Sequence, residues 1–329
     1  MSLDKIGFYT LSDQRARTAS ETSPMMRCEM ILTNACNFHC PYCRGLRKEI
    51  NRPLSWQEVK AGLEYWIRDG LQNIRFSGGE PTLSPFLSAA VTLCKDQGVK
   101  RIAVSTNGFN SMELYQSLVS DGVNDFSVSL DACCASTGDT MAGGRTGAWK
   151  KVVSNIRELS KISYVSVGIV LTEANISQMV DTILFADSLG VTDIRVIPAA
   201  QYTDADTNAM RNIPKNILDK HPILAYRVKN FVEGKSVRGL SGSDSFRCAI
   251  VLDDSVIAGS YHFPCVIYMR EGGNPIGKVG NDMRQERKEW SLSHNTHEDP
   301  ICTKNCLDVC IHYNNQYKRF HDGQDASSS

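Results

Sequence analysis

Between residues 27 and 198 the sequence repeats one pattern six times: a short apolar run, a polar or glycine-rich stop, then apolar residues at helical spacing. Strands are predicted at 27–32, 74–77, 101–105, 126–130, 165–171 and 193–198. Ser55-Trp56-Gln57-Glu58 reads as a capping box, and Val59, Leu63, Trp66 and Ile67 then share one helical face. Ser84-Pro85 is the expected start of the next helix, and Pro222 to Val232 is predicted as a later one. Alternating strands and helices demand a parallel sheet with right-handed crossovers. Six motif-bearing strand ends favour a partial (β/α)6 barrel over a doubly wound sheet, with chemistry at the C-terminal ends of the strands.

The first strand runs into Cys36-Asn37-Phe38-His39-Cys40-Pro41-Tyr42-Cys43, a C-x3-C-x2-C triplet. A structural zinc site closes with four ligands. Three thiolates on a cubane [4Fe–4S] cluster instead leave one iron open, which suits a site for chemistry.

Lys+Arg and Asp+Glu both number 36, so no basic surplus argues for a nucleic-acid partner. No apolar run has the length of a membrane span, and residues 1–24 do not read as a signal peptide. Twelve cysteines in a chain this long suit metal ligands and buried thiols in a reducing, cytoplasmic setting. After about residue 200 the βα rhythm stops, and a smaller cysteine-bearing domain is expected. The divisions are an N-terminal extension at 1–26, a core at 27–234, a second domain at 235–322 and a disordered tail at 323–329.

With Ser77-Gly78-Gly79-Glu80-Pro81 ending the second strand, the chain resembles the radical S-adenosylmethionine (SAM) enzymes. Ser105-Thr106-Asn107-Gly108 and Ser129-Leu130-Asp131 end the third and fourth strands in the matching order. The resemblance implies a [4Fe–4S] cluster on Cys36, Cys40 and Cys43 whose open iron binds SAM. It implies Gly78 and Gly79 against the methionyl group, with Glu80 on its ammonium and Pro81 stiffening the turn. Tyr42 is expected beside the adenine, and Ser105, Asn107, Ser129 and Asp131 around the ribose. Arg195 and Arg145 are candidates for a carboxylate of SAM or of the substrate. An external electron donor such as a flavodoxin or ferredoxin is implied, and reductive cleavage of SAM to a 5′-deoxyadenosyl radical that takes a hydrogen atom from a peptide or small polar substrate. Oxidation, cross-linking or epimerisation could follow.

Cys248 and Cys265, with Gly259 between them, resemble the first half of a SPASM or twitch domain, and Phe263-Pro264-Cys265 with Gly272-Gly273-Asn274-Pro275 fit its hairpin. Cys302, Cys306 and Cys310 depart from the usual second half. Five thiols imply one auxiliary [4Fe–4S] cluster with one thiol spare or ligating unusually; a zinc site closed by Cys248, Cys265 and two of the late cysteines, with His262 and His312 as further candidate ligands, in a non-enzymatic structural module, is the alternative. Cys133 and Cys134 follow Asp131, where either burial or hydrogen-atom donation to a substrate radical would account for them. Cys28 and Cys94 read as core residues.

Overall fold

The computed structural model describes residues 12–46, 50, 52, 54–202 and 208–325. Six parallel strands follow one another: β1 Arg27–Thr33, β2 Asn73–Gly78, β3 Arg101–Thr106, β4 Asp125–Ser129, β5 Tyr164–Leu171 and β6 Asp193–Pro198. Their spatial order is their sequence order, so each crossover moves the chain one strand along a curving sheet. This is the expected α/β partial barrel, and it is not closed.

The strands alternate, and both faces have a use. Cys28, Met30 and Leu32, Ile74 and Phe76, Phe126 and Val128, and Val165, Val167 and Ile169 join one core against the helices. Cys94 lies in the same core, so both cysteines read as core residues are buried there. The opposite face carries Arg27, Glu29, Arg75, Ser127, Ser166 and Arg195. A closed barrel fills that space with branched apolar side chains. Here it stays polar, and a cavity remains.

Residues after 235 extend the same sheet. Strand β7, Asp254–Ala258, lies parallel to β1, and β8 Tyr261–Phe263 and β9 Gly277–Lys278 follow antiparallel, giving nine strands. β7 and β8 turn at Gly259-Ser260, and β8, which ends at Phe263, pairs antiparallel with β9 after a connection holding Cys265, the short helix Val266–Arg270 that it caps, and Gly272 to Pro275. Ser55 and Glu58 form the predicted capping box on helix Trp56–Arg68, and the helix Pro222–Val232 stands where expected. The helix predicted from Ser84 begins only at Leu87, after a 3-10 turn at Pro81–Leu83. The last helix, Asp308–Asp325, carries the backbone into the predicted tail; 326–329 lie outside the described residues, as do 1–11 of the N-terminal extension. Near its start the extension is anchored: Arg15 pairs with buried Asp253, which also accepts from the Tyr313 hydroxyl.

Candidate active site

The cysteine loop leaves β1 at Thr33 and lies on the loop that leaves β2. Gly79 N donates to Thr33 O at 2.7 Å and Glu80 N to Ala35 O at 2.8 Å. A Cβ at Gly78 would stand 2.2 Å from Thr33 O, and one at Gly79 2.4 Å from Ala35 O. The close approach of the cysteine loop therefore requires both glycines. Glu80 is fully buried, and its carboxylate accepts from Thr82 N, Thr82 Oγ1, Thr106 Oγ1 and Asn107 N at 2.6–3.1 Å. These bonds make Glu80 a strut between β2 and β3. Ser77 Oγ is likewise committed, donating to Glu29 Oε1 at 2.7 Å, and Pro81 is buried at the start of the 3-10 turn.

From the far side, Asn107 Nδ2 donates to Asn37 Oδ1 at 2.6 Å and lies 3.9 Å from Cys36 Sγ. Tyr42 donates its hydroxyl to Asp131 Oδ2 at 2.5 Å, tying the loop to the end of β4. Asp131 Oδ1 accepts from Val170 N at 2.7 Å. Burial pushes Asp131 up to about 6 against both bonds, and burial with Asp131 nearby pushes the Cys40 thiol to about 12. A metal taking these thiols must displace their protons. Arg145 donates to Asn37 O at 2.9 Å and covers the Phe109 ring, so it braces the loop.

Cys40, Tyr42, Asn107, Ser129 and Asp131 line one small cavity beside the triplet. Ser129 also lines a second cavity of about 330 Å3 inside the barrel, which holds Arg195 and reaches Cys265 and Cys310. Arg195 thus sits away from Tyr42, donating to Ser127 and Ser166. Ser105 stands opposite Ser127 on β3 and lines neither cavity. Cys133 and Cys134 also fail to join: each Sγ lies 3.8 Å from Gln178 Oε1, outside both linings. Hydrogen bonds from Ser136 and Thr137 lower the Cys134 thiol to about 7.

All five later cysteines, Cys248, Cys265, Cys302, Cys306 and Cys310, line a third cavity with Tyr268 and Asn314. Burial raises every one of these thiols. Among the described residues, the one group of three or more His, Cys or carboxylate ligand atoms lying within 4.8 Å of one another is His294, Asp299 and Cys302. No three of the five thiols approach so closely. His262 is bound to Glu286 and Arg287, and His312 lies 3.3 Å from Asp13, so neither faces this cavity. His294 and Arg270 escaped the sequence reading. Arg270 donates to Gly45 O and Gly78 O, both at 2.9 Å, and joins the two loops from the C-terminal part of the chain. Nothing in the spacing around either residue marks it.

An open parallel barrel carrying three thiols after its first strand and a glycine–glutamate loop after its second defines a class of cluster-binding fold. The radical SAM superfamily model matches residues 30–186, and that segment is a radical SAM domain. The chain is 32% identical over 173 residues to a probable GTP 3′,8-cyclase of Sulfurisphaera tokodaii, covering 50% of this chain and 53% of that protein. It is 25% identical over 237 residues to one of Saccharolobus solfataricus, covering 71% and 73%. The chain thus spans about half the length of most of the curated relatives first matched. Among solved structures, SuiB of Streptococcus suis bound to precursor peptide SuiA superposes with TM-score 0.59 at 13% identity, covering 85% of this chain and 66% of SuiB. Native anSMEcpe with bound AdoMet gives 0.59 at 13%, covering 92% and 99%. These likenesses bear on the fold. No helix among the described residues is long and apolar enough to cross a membrane.

Proposed function

We propose that this chain is a radical SAM enzyme that takes a hydrogen atom from a substrate held inside the barrel and oxidises it. The observation that carries the reading is the adjacency of the two cavities: Ser129 lines both, and the larger one is also lined by Cys265 and Cys310. In this reading Cys36, Cys40 and Cys43 hold a [4Fe–4S] cluster, and four of the five later thiols hold an auxiliary one. With SAM bound, the first cluster and an external reductant, a flavodoxin or ferredoxin, supply the radical that removes the hydrogen atom. Tyr42, Asn107 and Asp131 fix the loop and one wall of the SAM cavity, and the residues of 27–234 set that cavity beside the substrate space. Residues 235–322 bring the second thiol set to the far end, where an electron left on the substrate has a short path out. Oxidation is favoured over epimerisation because Cys133 and Cys134 face Gln178.

A small molecule or a peptide segment fits this reading, and so does a cytoplasmic setting that keeps twelve thiols reduced. The curated relatives favour a second reading, cyclisation of GTP. The test is anaerobic reconstitution with iron and sulfide, then SAM and dithionite, with GTP added in a parallel arm. A brown protein that bleaches on reduction and forms 5′-deoxyadenosine is expected. A colourless protein with stoichiometric zinc would sink the reading, and GTP turnover would establish the second.

A further inference from the structure

We infer that His294, Asp299 and Cys302 bind one divalent cation of the zinc class, with water in the fourth position. The three stand where helix Met283–Ser293 ends and helix Pro300–Asn305 begins. One ligand atom from each lies within 4.8 Å of the other two. His294 Nε2 is 3.8 Å from Cys302 Sγ and 3.5 Å from Asp299 Oδ2. Tetrahedral zinc with bonds of about 2.0–2.3 Å has ligand-to-ligand edges of roughly 3.3–3.8 Å, so both separations fit. The arrangement is not a nucleophilic triad, in which the imidazole gives one nitrogen to the thiol and the other to the carboxylate. Here one nitrogen faces both, as donors around a shared ion do. The carboxylate is held from behind. Its Oδ1 accepts from Ile301 N at 2.7 Å and Cys302 N at 3.0 Å, and Tyr268 donates its hydroxyl to Oδ2 at 2.9 Å. Trp290 stacks on the His294 ring with centroids 4.0 Å apart, and Tyr268 meets that ring edge-on. Outer partners of this kind fix the orientation of metal ligands. All three ligand residues are half-buried, which leaves an ion a way in. One thiolate, one imidazole and one carboxylate suit zinc, whereas magnesium and calcium take oxygen ligands. Binding expels the Cys302 proton to solvent. In the proposed reading the auxiliary cluster needs only four of the five later thiols, and this site rests on that reading for the freedom of Cys302.

The test uses the full chain reconstituted with iron and sulfide, given one equivalent of Zn2+ and dialysed. Metal analysis should find about one zinc beside about eight iron per chain. Zinc X-ray absorption should show a single sulfur at about 2.3 Å and nitrogen or oxygen at about 2.0 Å. His294→Ala and Cys302→Ala should each lose the zinc and keep the iron. Tyr268→Phe keeps the three ligands and removes the hydroxyl behind Asp299. It should weaken zinc binding by about 10–100-fold in competition with a chelator, and it serves if a ligand variant does not fold. His312→Ala, whose ring lies against Asp13, is the control and should retain the zinc. No zinc in the wild type, zinc retained in either ligand variant, unchanged affinity in Tyr268→Phe, or two or more sulfurs on the zinc overturns the inference. So does loss of half the iron in Cys302→Ala, since Cys302 would then hold the cluster. Failure of an iron-replete protein with this zinc bound to cleave SAM would instead count against the proposed function.

Discussion

Arg270 donates one guanidinium nitrogen to the carbonyl of Gly78 and the other to that of Gly45, each at 2.9 Å. One side chain from beyond residue 235 thus holds both loops that frame the cysteine triplet. Hydrogen bonds from a charged donor contribute about 1.5–3 kcal/mol each. Arg270→Met should therefore weaken SAM binding by about tenfold or more while leaving iron at the later cysteines. Lysine can reach one carbonyl as a point charge and not both, so Arg270→Lys should fall between. Equilibrium binding of SAM to the reconstituted variants checks this. Wild-type affinity in Arg270→Met would sink it.

Gly79→Ala should be more damaging than its size suggests. The added carbon meets two backbone carbonyls, Ala35 O at 2.4 Å and Asn34 O at 2.6 Å, and neither can rotate away. Overpacking of this kind costs about 1–3 kcal/mol, and here it falls on the cysteine loop. The variant is expected to lose iron and SAM binding at the triplet before it loses its fold. Gly242→Ala, where no atom lies within 4 Å, is the control and should match wild type in melting temperature and iron content.

The barrel was legible because β1 to β6 alternate apolar and polar residues between clear stops, and one register of each strand satisfies both faces. The cysteine triplet and the loop from Ser77 to Pro81 were legible as motifs. Their protein partners were not: Gly78 and Gly79 pack against Thr33 and Ala35, and Glu80 bonds to Thr106 and Asn107. Such partners come from neighbouring strands that a linear pattern does not pair. His294 was invisible for a related reason. It meets Cys302 at 3.8 Å only after helix Met283–Ser293 ends and helix Pro300–Asn305 begins.

The five thiols of the third cavity should divide four to one. Cys302 differs from the rest, because its Sγ faces His294 Nε2 in the group completed by Asp299. Replacing Cys248, Cys265, Cys306 or Cys310 with Ala should lower iron from about eight to about four per chain, as expected for losing one of two cubanes. Cys302→Ala should keep about eight. Iron and sulfide counts on five single variants decide it. Loss of half the iron in Cys302→Ala, with retention in another variant, would reassign the spare thiol.

Asp193 at the start of β6 should make stability depend on pH. It is buried, accepting from Ile194 N at 2.7 Å and from Ile223 N at 3.2 Å, so it pins helix Pro222–Val232 to the barrel. Burial raises its pKa to about 6, outweighing those bonds and nearby His221. An unfolded aspartate titrates near about 3.9, so across the interval between these values the native state holds the extra proton. The stability this brings is fully present below the unfolded value and is lost as pH rises through about 6. Asp193→Asn cannot ionise and lacks this term. Relative to the variant, wild type should therefore gain roughly 1–1.5 kcal/mol on going from about pH 7.5 to about pH 5. Urea unfolding of both proteins at the two pH values measures the difference. Parallel stabilities would show that Asp193 stays ionised in the fold.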